Sequence, residues 1–563
     1  MKVVIIGGTT GGAGVAARLR RLGEKVQIAM IERNPYVSYA GCGLPYYAGG
    51  IVKNKDDLFV VDKAVFDKRF RVRVSTATRA VSIDRKEKCV YVKNLLLQAD
   101  KVYYDKLVIA TGATPIVPPF AKDKKGVFTL RTVEDAVGLR EYIEKSGVTD
   151  ALVVGGGFIG LEACENLWRQ GLKVTLAEKA PQVMAVMDED MAKYLHMELE
   201  SKGVTLKLGV GVSDIAETAD GKLNVTLDNG STLSTGLVVL AIGVRPESTL
   251  AADCGLEVSE RGFIVVDDTM RTSDPDIFAL GDVVTVKGVP EDRLGTLALA
   301  GPAAKQARVV SSNLLLNEGE ESKAKHFKGS LGVSIVRCFN LTAGSVGKTE
   351  RFLAREGVKD VTSITVHTPH HVSWFETALP VHLKLVFNKV TGEVLGAQAV
   401  GQVSVDKNLE VISALMQKGA TVYDLADFES AYAPPFSAPR SPVNMAGCVA
   451  ANVVDGLIET VNCADLEKFD KDKTVFLDIR EKEEFEAGSI PGFINLPMEK
   501  IREEITCERL DPDKTYVLTC QVGVRGYTAA CILRGYGIKA YNLNGGYVSY
   551  QVYSRKLKCE RDA

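Results

Sequence analysis

Two cysteines stand in settings that favour sulfur chemistry. In Ser38-Tyr39-Ala40-Gly41-Cys42-Gly43-Leu44-Pro45-Tyr46 one thiol lies between two glycines. Neither neighbour carries a side chain, so a ring or a substrate can approach the sulfur closely. A thiolate so placed can attack a sulfur–sulfur bond. Far downstream, the apolar run Thr515 to Thr519 delivers Cys520-Gln521-Val522-Gly523-Val524-Arg525-Gly526. A loop between a strand end and a helix start turns successive N–H groups onto one sulfur and stabilises its thiolate. Arg525 adds positive charge there, and such a site can hold a persulfide and pass the outer sulfur on. The bland alternative for Cys42 is a buried loop cysteine. The surrounding elements decide.

Upstream of Cys42, the apolar run Val3 to Ile6 leads into Gly7-Gly8-Thr9-Thr10-Gly11-Gly12-Ala13-Gly14, and a helix-forming stretch, Val15 to Leu22, follows. Strand, glycine turn and helix in that order present free N–H groups to a pyrophosphate. A second strand, Val26 to Ile31, ends at Glu32, twenty residues after Gly12, where an acid can accept hydrogen bonds from a ribose. Thr9 departs from the usual middle glycine of G-x-G-x-x-G. Two later strand-turns, Val108 to Ala113 with Thr111 and Gly112, and Ile277 to Asp282 with Gly281, extend the pattern.

A second loop is complete: Ala151 to Val154 precedes Gly155, Gly157 and Gly160, a helix runs to Gln170, and Val174 to Ala177 leads to Glu178. An acid at that strand end favours NADH over NADPH, although Lys179 beside it keeps NADPH open. Two loops mean two nucleotides, with electrons passing from a nicotinamide to a flavin. Leu237 to Gly243 and Val244-Arg245-Pro246 close this insert before the chain returns to the first domain near Ile264. The two nucleotide domains are therefore expected to be nested.

With Cys42 in Ser-x-x-x-Cys-Gly-x-Pro-Tyr and both loops present, residues 1–450 closely resemble the coenzyme A-disulfide reductase group of flavoproteins, which includes NADH-dependent persulfide reductases and NADH oxidases. The wider superfamily uses a cysteine pair, commonly C-x4-C. Here Tyr47 and Val37 occupy the positions five after and five before Cys42, so the thiol should pair with a small thiol from outside. The resemblance implies FAD on Gly7, Gly8, Gly12, Glu32, Arg33, Ser38, Thr111, Gly112, Gly281 and Asp282, with Asp282 reaching the ribityl chain. It implies NAD(P)H on Gly155, Gly157, Gly160, Glu178 and Gly243, with Glu162 ordering the nicotinamide or flavin. The alternative for Glu162 is a solvated first-turn acid suited to the helix dipole. It further implies coenzyme A on Gly14, Arg18, Arg21, Ser38, Gly41, Arg69, Lys305, Arg308 and Arg440, as arginine pairs well with phosphate. Arg18 and Arg21 read equally well as a solvated helix face.

From about His326 to Gly447 the pattern changes to short strands (Leu331 to Phe339, Ile364 to His367, His382 to Phe387, Val394 to Val400) and helices (Thr349 to Gly357, Lys407 to Gln417). This is similar to the family's dimerisation domain and implies a homodimer. Ser430 to Pro435 matches the segment that reaches the other subunit's active site, which makes Tyr432 a catalytic candidate. Trp374-Phe375 replaces an aromatic–tyrosine pair and Phe436 another tyrosine, removing phenols that deliver protons to a leaving thiolate. After Ala450 to Thr460, Val475 to Arg480, Glu484-Phe485, Gly488 to Pro497, the Cys520 loop and Leu543 to Tyr547 together resemble a single rhodanese domain. The alternative is a degenerate, inactive member of that fold, and such members typically lack the cysteine.

The expected fold class is α/β: two nested Rossmann-like dinucleotide-binding domains, FAD (1–118 and 249–324) and NAD(P)H (119–248), an α+β dimerisation domain (325–450) and a C-terminal α/β rhodanese domain (465–557). At 563 residues the chain is long enough for several cores, and its net charge of −2 argues against a general nucleic-acid role. No apolar run reaches the ~18 residues of a membrane span. The eleven scattered cysteines lack a close C-x-x-C pair, which argues against a disulfide scaffold or a zinc site. The chain opens directly as a strand, so a cytoplasmic, reducing compartment is expected. The favoured function is an FAD-dependent, NADH-consuming reductase of persulfide or polysulfide, coenzyme A persulfide included, with Cys42 as redox thiol and Cys520 as sulfur carrier. A coenzyme A-disulfide reductase, an NADH oxidase or peroxidase, and a sulfur-trafficking protein are the alternatives.

Overall fold

The computed structural model describes residues 1–94, 96, 98–286, 298–317 and 319–557. The chain forms two compact units, Met1–Ala177 with Val210–Gly332, and Glu178–Gly209 with Val333–Ala563. The expected nucleotide region 119–248 is thus divided, its segment 178–209 belonging to the second unit.

In the first unit, Lys2–Ile6 is buried along nearly its whole length and pairs in parallel with Gln27–Ile31 and Lys106–Ile109. A strand buried on both faces reads as a continuous apolar run, as Val3 to Ile6 does. Val72–Ser75 extends the sheet on one side and Ile277–Ala279 on the other. The chain therefore leaves this sheet after Ile109 and returns to finish it, as nesting requires. Ala113–Pro115 and Val244–Pro246, the ways out and back, pair with each other antiparallel. Between them Asp150–Val154 pairs in parallel with Lys173–Glu178 and Val238–Leu240, and the latter with Val127–Phe128. Two three-stranded antiparallel meanders, Thr78–Tyr103 and Val212–Thr235, have no counterpart in the sequence reading.

In the second unit a five-stranded antiparallel sheet runs in the order Ser334–Cys338, Leu341–Gly347, Val394–Gly401, Pro380–Asn388, Val361–Pro369. Leu341–Gly347 is a strand not expected from sequence; two glycines in a seven-residue run hide its period. Pro442–Val454, with proline in its first turn and a Ser441–Asn444 capping box, is a further helix beside this sheet. Lys384 is buried there, 2.7 Å from Glu350, 2.8 Å from Asp190 and 3.3 Å from Asp188. Burial pulls its ammonium pKa down, and the three carboxylates outweigh that and drive it up. Asp188 also accepts from Gln398 Nε2 and from the N–H groups of Glu350 and Arg351. Helix Glu189–Ser201 is anchored to the sheet through these bonds.

The C-terminal part is a parallel sheet ordered Glu459–Val461, Ala540–Leu543, Thr515–Thr519, Thr474–Asp478, Ile494–Asn495, with helices packed on it. Among the described residues no helix is long and apolar enough to cross a membrane.

Candidate functional site

A cavity of about 550 Å³ in the first unit runs from Glu32 and the first glycine turn to Cys42 and Asp282. Gly7 has φ +102°, and a Cβ there would lie 2.2 Å from Ala110 O. A Cβ on Gly12 would lie 1.9 Å from Gly7 O, so only glycine lets the helix start this close to the strand end. Thr9 is the N-cap of helix Thr10–Leu22 at φ −92°, a conformation that tolerates a side chain, which accounts for the missing middle glycine. Thr9, Thr10 and Gly11 line the cavity, so the helix N-terminus opens onto it. Glu32 is buried; its carboxylate accepts from the N–H groups of Gly8 and Asn34, both at 2.8 Å. Burial pushes its pKa up, and these bonds pull against the shift.

Gly41–Gly43 forms a tight turn that leads into helix Leu44–Ala48. The two glycines beside Cys42 do different things: nothing lies within 4 Å of a Cβ on Gly41, whereas one on Gly43 would be 2.8 Å from Leu58. The open side is the cavity side, which Gly41 and Cys42 line. The thiol pKa is pushed up by the protein packed around it, then by Glu162 and Asp282, with Arg131 opposing. Glu162 is half-buried, accepts from Tyr46 Oη at 3.1 Å and is itself pushed up by burial, so it is not a solvated first-turn acid.

Asp282 lies 2.9 Å from Arg131 Nη2, and Arg131 Nε donates to Ala113 O. Arg33 pairs with Glu247 at 3.1 Å, and Thr111 Oγ1 donates to Glu247 O. Sequence reasoning missed Arg131 and Glu247, which line the cavity and carry no motif. Gly112 (φ +71°) and Gly281 (φ +84°) make the two turns at its wall. Ser38 (φ +49°) is not among the lining residues; its N–H donates to Gly8 O and so fixes the loop to the glycine turn. A narrow glycine cradle, a helix N-terminus and a buried acid at one end, and a thiol at the other, fit an FAD laid along the cavity.

The second loop repeats the first. Gly155 has φ +107° with Ala241 O 2.3 Å from its would-be Cβ, and a Cβ on Gly160 would lie 1.8 Å from Gly155 O. Gly157, the N-cap of Phe158–Arg169, has open space where its side chain would be. Gly243 (φ +115°) accepts from Ile116 N–H beside the paired exit strands. Glu178 ends its strand and accepts from Ala180 N–H at 2.7 Å.

Of the residues expected on coenzyme A, Arg18, Arg21 and Arg308 are close enough to repel. Burial lowers the Arg18 pKa, followed by Arg308 and Arg21, and Arg18 Nε is buried without a partner. A Cβ on Gly14 would be 3.3 Å from Ala307, so Gly14 sets the crossing of Thr10–Leu22 with Ala300–Asn313, the helix that carries Lys305 and Arg308. Arg21 stacks over Phe70, next to Arg69. Three crowded cations with an unmet donor suit a polyanion. Arg20 between them is different: it is buried, bonds five backbone carbonyls and holds the fold.

In the second unit Cys520 is 1% exposed, and its Sγ accepts from the N–H groups of Gly523 (3.2 Å) and Gly526 (3.3 Å). Gly523 has φ +96°, and a Cβ on Gly526 would meet Asn542 Oδ1 at 2.1 Å. Two positions of the loop, Gly523 and Gly526, thus reject side chains. Arg525 is held by Glu484 through two bonds of 2.6 and 2.7 Å, so its charge is shared and not free over the sulfur. Arg480, fully buried, pairs with Asp478, donates to Gly488 O and Gln521 Oε1, and stacks on Tyr547. Tyr432, Arg440, Trp374, Phe375 and Phe436 are exposed; Val372 N–H bonds Ser437 O and brings the two aromatic segments together.

Residues 1–307 match the family model described as Pyridine nucleotide-disulphide oxidoreductase, residues 333–441 its dimerisation domain, and residues 464–552 a Rhodanese-like domain. The chain belongs to the pyridine nucleotide-disulphide oxidoreductases and is a flavoprotein oxidoreductase with a rhodanese domain. Among individual proteins, it is 32% identical over 453 residues to the Coenzyme A disulfide reductase of Staphylococcus haemolyticus, covering 80% of this chain and 100% of that one. The structure of reduced Bacillus anthracis CoADR-RHD is similar at 38% identity and TM-score 0.92, covering 98% of both chains. That of a NAD-dependent persulfide reductase from A. fulgidus is similar at 35% identity and TM-score 0.88, covering 98% of this chain and 100% of that one.

Proposed function

We propose that this enzyme reduces sulfane sulfur, in persulfides or polysulfides, at the expense of NADH. The observation that carries the reading is the pair of unlike thiols: Cys42 is the one cysteine among the lining residues of the cavity, and Cys520 sits in a cradle of backbone N–H groups. Without a nearby second cysteine, Cys42 takes its reaction partner from outside. Its thiolate attacks the outer sulfur of a persulfide R–S–SH, the thiol RSH leaves, and Cys42 carries a persulfide that two electrons cleave to thiolate and sulfide. FAD, if bound along the cavity, would supply those electrons from NADH. The sum is RSSH + NADH + H⁺ → RSH + H₂S + NAD⁺.

Cys520 receives sulfur from larger donors and holds it as a persulfide. Coenzyme A is the proposed carrier thiol, its phosphates meeting Arg18, Arg21 and Arg308, with Tyr432 and Arg440 supplied across a homodimer. Glu178 selects NADH. The arginine cluster equally supports a second reading, coenzyme A-disulfide reduction. Steady-state NADH oxidation against polysulfide, coenzyme A persulfide, glutathione persulfide and coenzyme A disulfide, with sulfide followed in parallel, separates the two. Sulfide release matching NADH loss supports the first reading, and turnover of the disulfide alone supports the second. Oxygen or peroxide consumed faster than any sulfur substrate would identify an oxidase or peroxidase. Capture of sulfur-acceptor proteins with negligible NADH turnover would identify a trafficking protein.

A further inference from the structure

The edge of the antiparallel sheet in the second unit is occupied by the C-terminal part of the chain. Val361–Pro369 is the last strand of that sheet and, among the described residues, pairs only with Pro380–Asn388. An edge strand leaves alternate N–H and C=O groups without a strand partner. The side-chain amide of Asn544 stands in for one: its Oδ1 accepts from Thr365 N–H at 2.7 Å, and its Nδ2 donates to Ser363 O at 3.3 Å. Two residues further along the strand, His367 Nε2 lies 2.9 Å from Ser549 Oγ, and its Nδ1 lies 2.8 Å from His382 Nδ1. His382 in turn stacks on Tyr194 at 4.4 Å. Burial holds both imidazoles down, His367 to about 3 and His382 to about 4, so the ring-to-ring hydrogen bond joins two neutral groups.

The gripped segment, Asn544 to Ser549, is also the back wall of the Cys520 loop. Tyr547 N–H donates to Cys520 O at 2.8 Å and Val548 N–H to Gln521 O at 3.1 Å. A Cβ on Gly546 would lie 2.4 Å from Cys520 O, and one on Gly545 would lie 2.0 Å from Ser549 Oγ and 2.8 Å from His367 Nε2. Gly545 and Gly546 thus leave no room for side chains between the strand edge and the loop. One strand edge, one short segment and the sulfur-bearing loop therefore form a continuous hydrogen-bonded series.

We infer that the dimerisation domain is part of the sulfur-transfer centre, with His367 and the Thr365 N–H acting through Ser549 and Asn544 as positioning groups for the Cys520 loop. The Gly523 and Gly526 N–H groups reach the sulfur only while that loop keeps its shape. The rhodanese domain is thus completed by the sheet it is docked on, and its reactivity depends on the whole chain.

This rests on Cys520 being the sulfur-transfer centre proposed above, and the test keeps the two ideas apart. The full-length enzyme is assayed for sulfur transfer from thiosulfate to cyanide, with no NADH present. The Cys520 thiolate takes the outer sulfur as sulfite leaves, and cyanide carries that sulfur away as thiocyanate, returning the thiolate. A wild-type chain that forms no thiocyanate refutes the centre itself. With wild type active, His367→Phe and Asn544→Leu are expected to lower kcat about tenfold while KM for thiosulfate stays within about twofold. Hydrogen exchange at the amides of Gly523 and Gly526 is expected to speed up in the same variants. His367→Gln, whose amide can reach the position of Nε2, should recover most of the rate. If His367→Phe fails to fold, Ser549→Ala, which removes one hydroxyl, decides alone, with an expected loss of about threefold. Unchanged kcat and unchanged exchange in the folded variants would overturn the inference.

Discussion

The two cysteines proposed to work on sulfur sit in unlike surroundings. Cys42 faces an open cavity, and its surroundings oppose the thiolate: partial desolvation first, then Glu162 and Asp282, push its pKa up, against Arg131 and a backbone N–H. Cys520 is closed in, and its sulfur is met by two backbone N–H groups that no ordinary substitution removes. A thiol whose field is made by side chains can be tuned by whatever binds next to it. A thiol whose field is made by backbone is set once, when the loop folds. The first would suit the redox role proposed for Cys42, and the second the sulfur-carrying role proposed for Cys520.

The largest expected effect comes from deleting each sulfur. Cys42→Ser should lower NADH oxidation with any persulfide by at least about a thousandfold, while thiosulfate-to-cyanide transfer stays at the wild-type rate. Cys520→Ser should do the reverse, abolishing thiocyanate formation and sparing NADH oxidation with small persulfides. Loss of both activities in either variant would break the division of labour. Next, Gly526→Ala places a methyl group 2.1 Å from Asn542 Oδ1, so the amide must move and its Nδ2 bond to Gly523 O, which ties down the loop, is put under strain. Thiocyanate formation should fall about ten- to a hundredfold, with NADH oxidation unaffected. A comparable change at Gly41, which has no atom within 4 Å of its Cβ, leaves the fold intact, so Gly41→Ala should act by obstructing substrate and raise KM.

The smallest effect is the most diagnostic. Glu162 destabilises the Cys42 thiolate, so Glu162→Gln should lower the thiol pKa. In wild type the rate of iodoacetamide alkylation of Cys42 should rise with pH through a midpoint above the ordinary thiol value of about 8.5. In the variant that midpoint moves down, and alkylation at pH 7 becomes a few times faster, on the order of two- to tenfold. Alkylation is read by peptide mass on Cys42, and an unmoved midpoint would remove Glu162 from the control of this thiol.

What was legible in the sequence was local. The glycine turns at Gly7 and Gly155, the acids Glu32 and Glu178, and the Cys42 and Cys520 loops each lie within one strand–turn–helix unit, where spacing alone carries the geometry. The nested topology was legible as well, since Ile277 to Asp282 repeats the strand-turn pattern of Val108 to Ala113. Arg131 was not, because its partner Asp282 is 151 residues away and nothing near either marks them as a pair. The same holds for Tyr46 with Glu162 and for the three carboxylates that gather on Lys384. The meanders escaped because short strands such as Thr78–Asp84, with exposed and half-buried residues irregularly mixed, show no clean period of two. The pairing of Arg525 was not legible either, because the Glu484 carboxylate that meets it comes from another turn of the chain.

The strand Ile277–Ala279 closes the first sheet by pairing with Lys106–Ile109, some 170 residues earlier. During synthesis that sheet has no second edge until the whole intervening stretch has left the ribosome. At about 5–20 residues per second the incomplete sheet waits on the order of ten seconds or more, with the outer edge of Lys106–Ile109 uncovered. Its short length, four residues, limits the hazard of that wait. The closing contact is long-range and costly in loop entropy, so completion of the first sheet should be a late event in folding, following the contacts formed within the inserted nucleotide region.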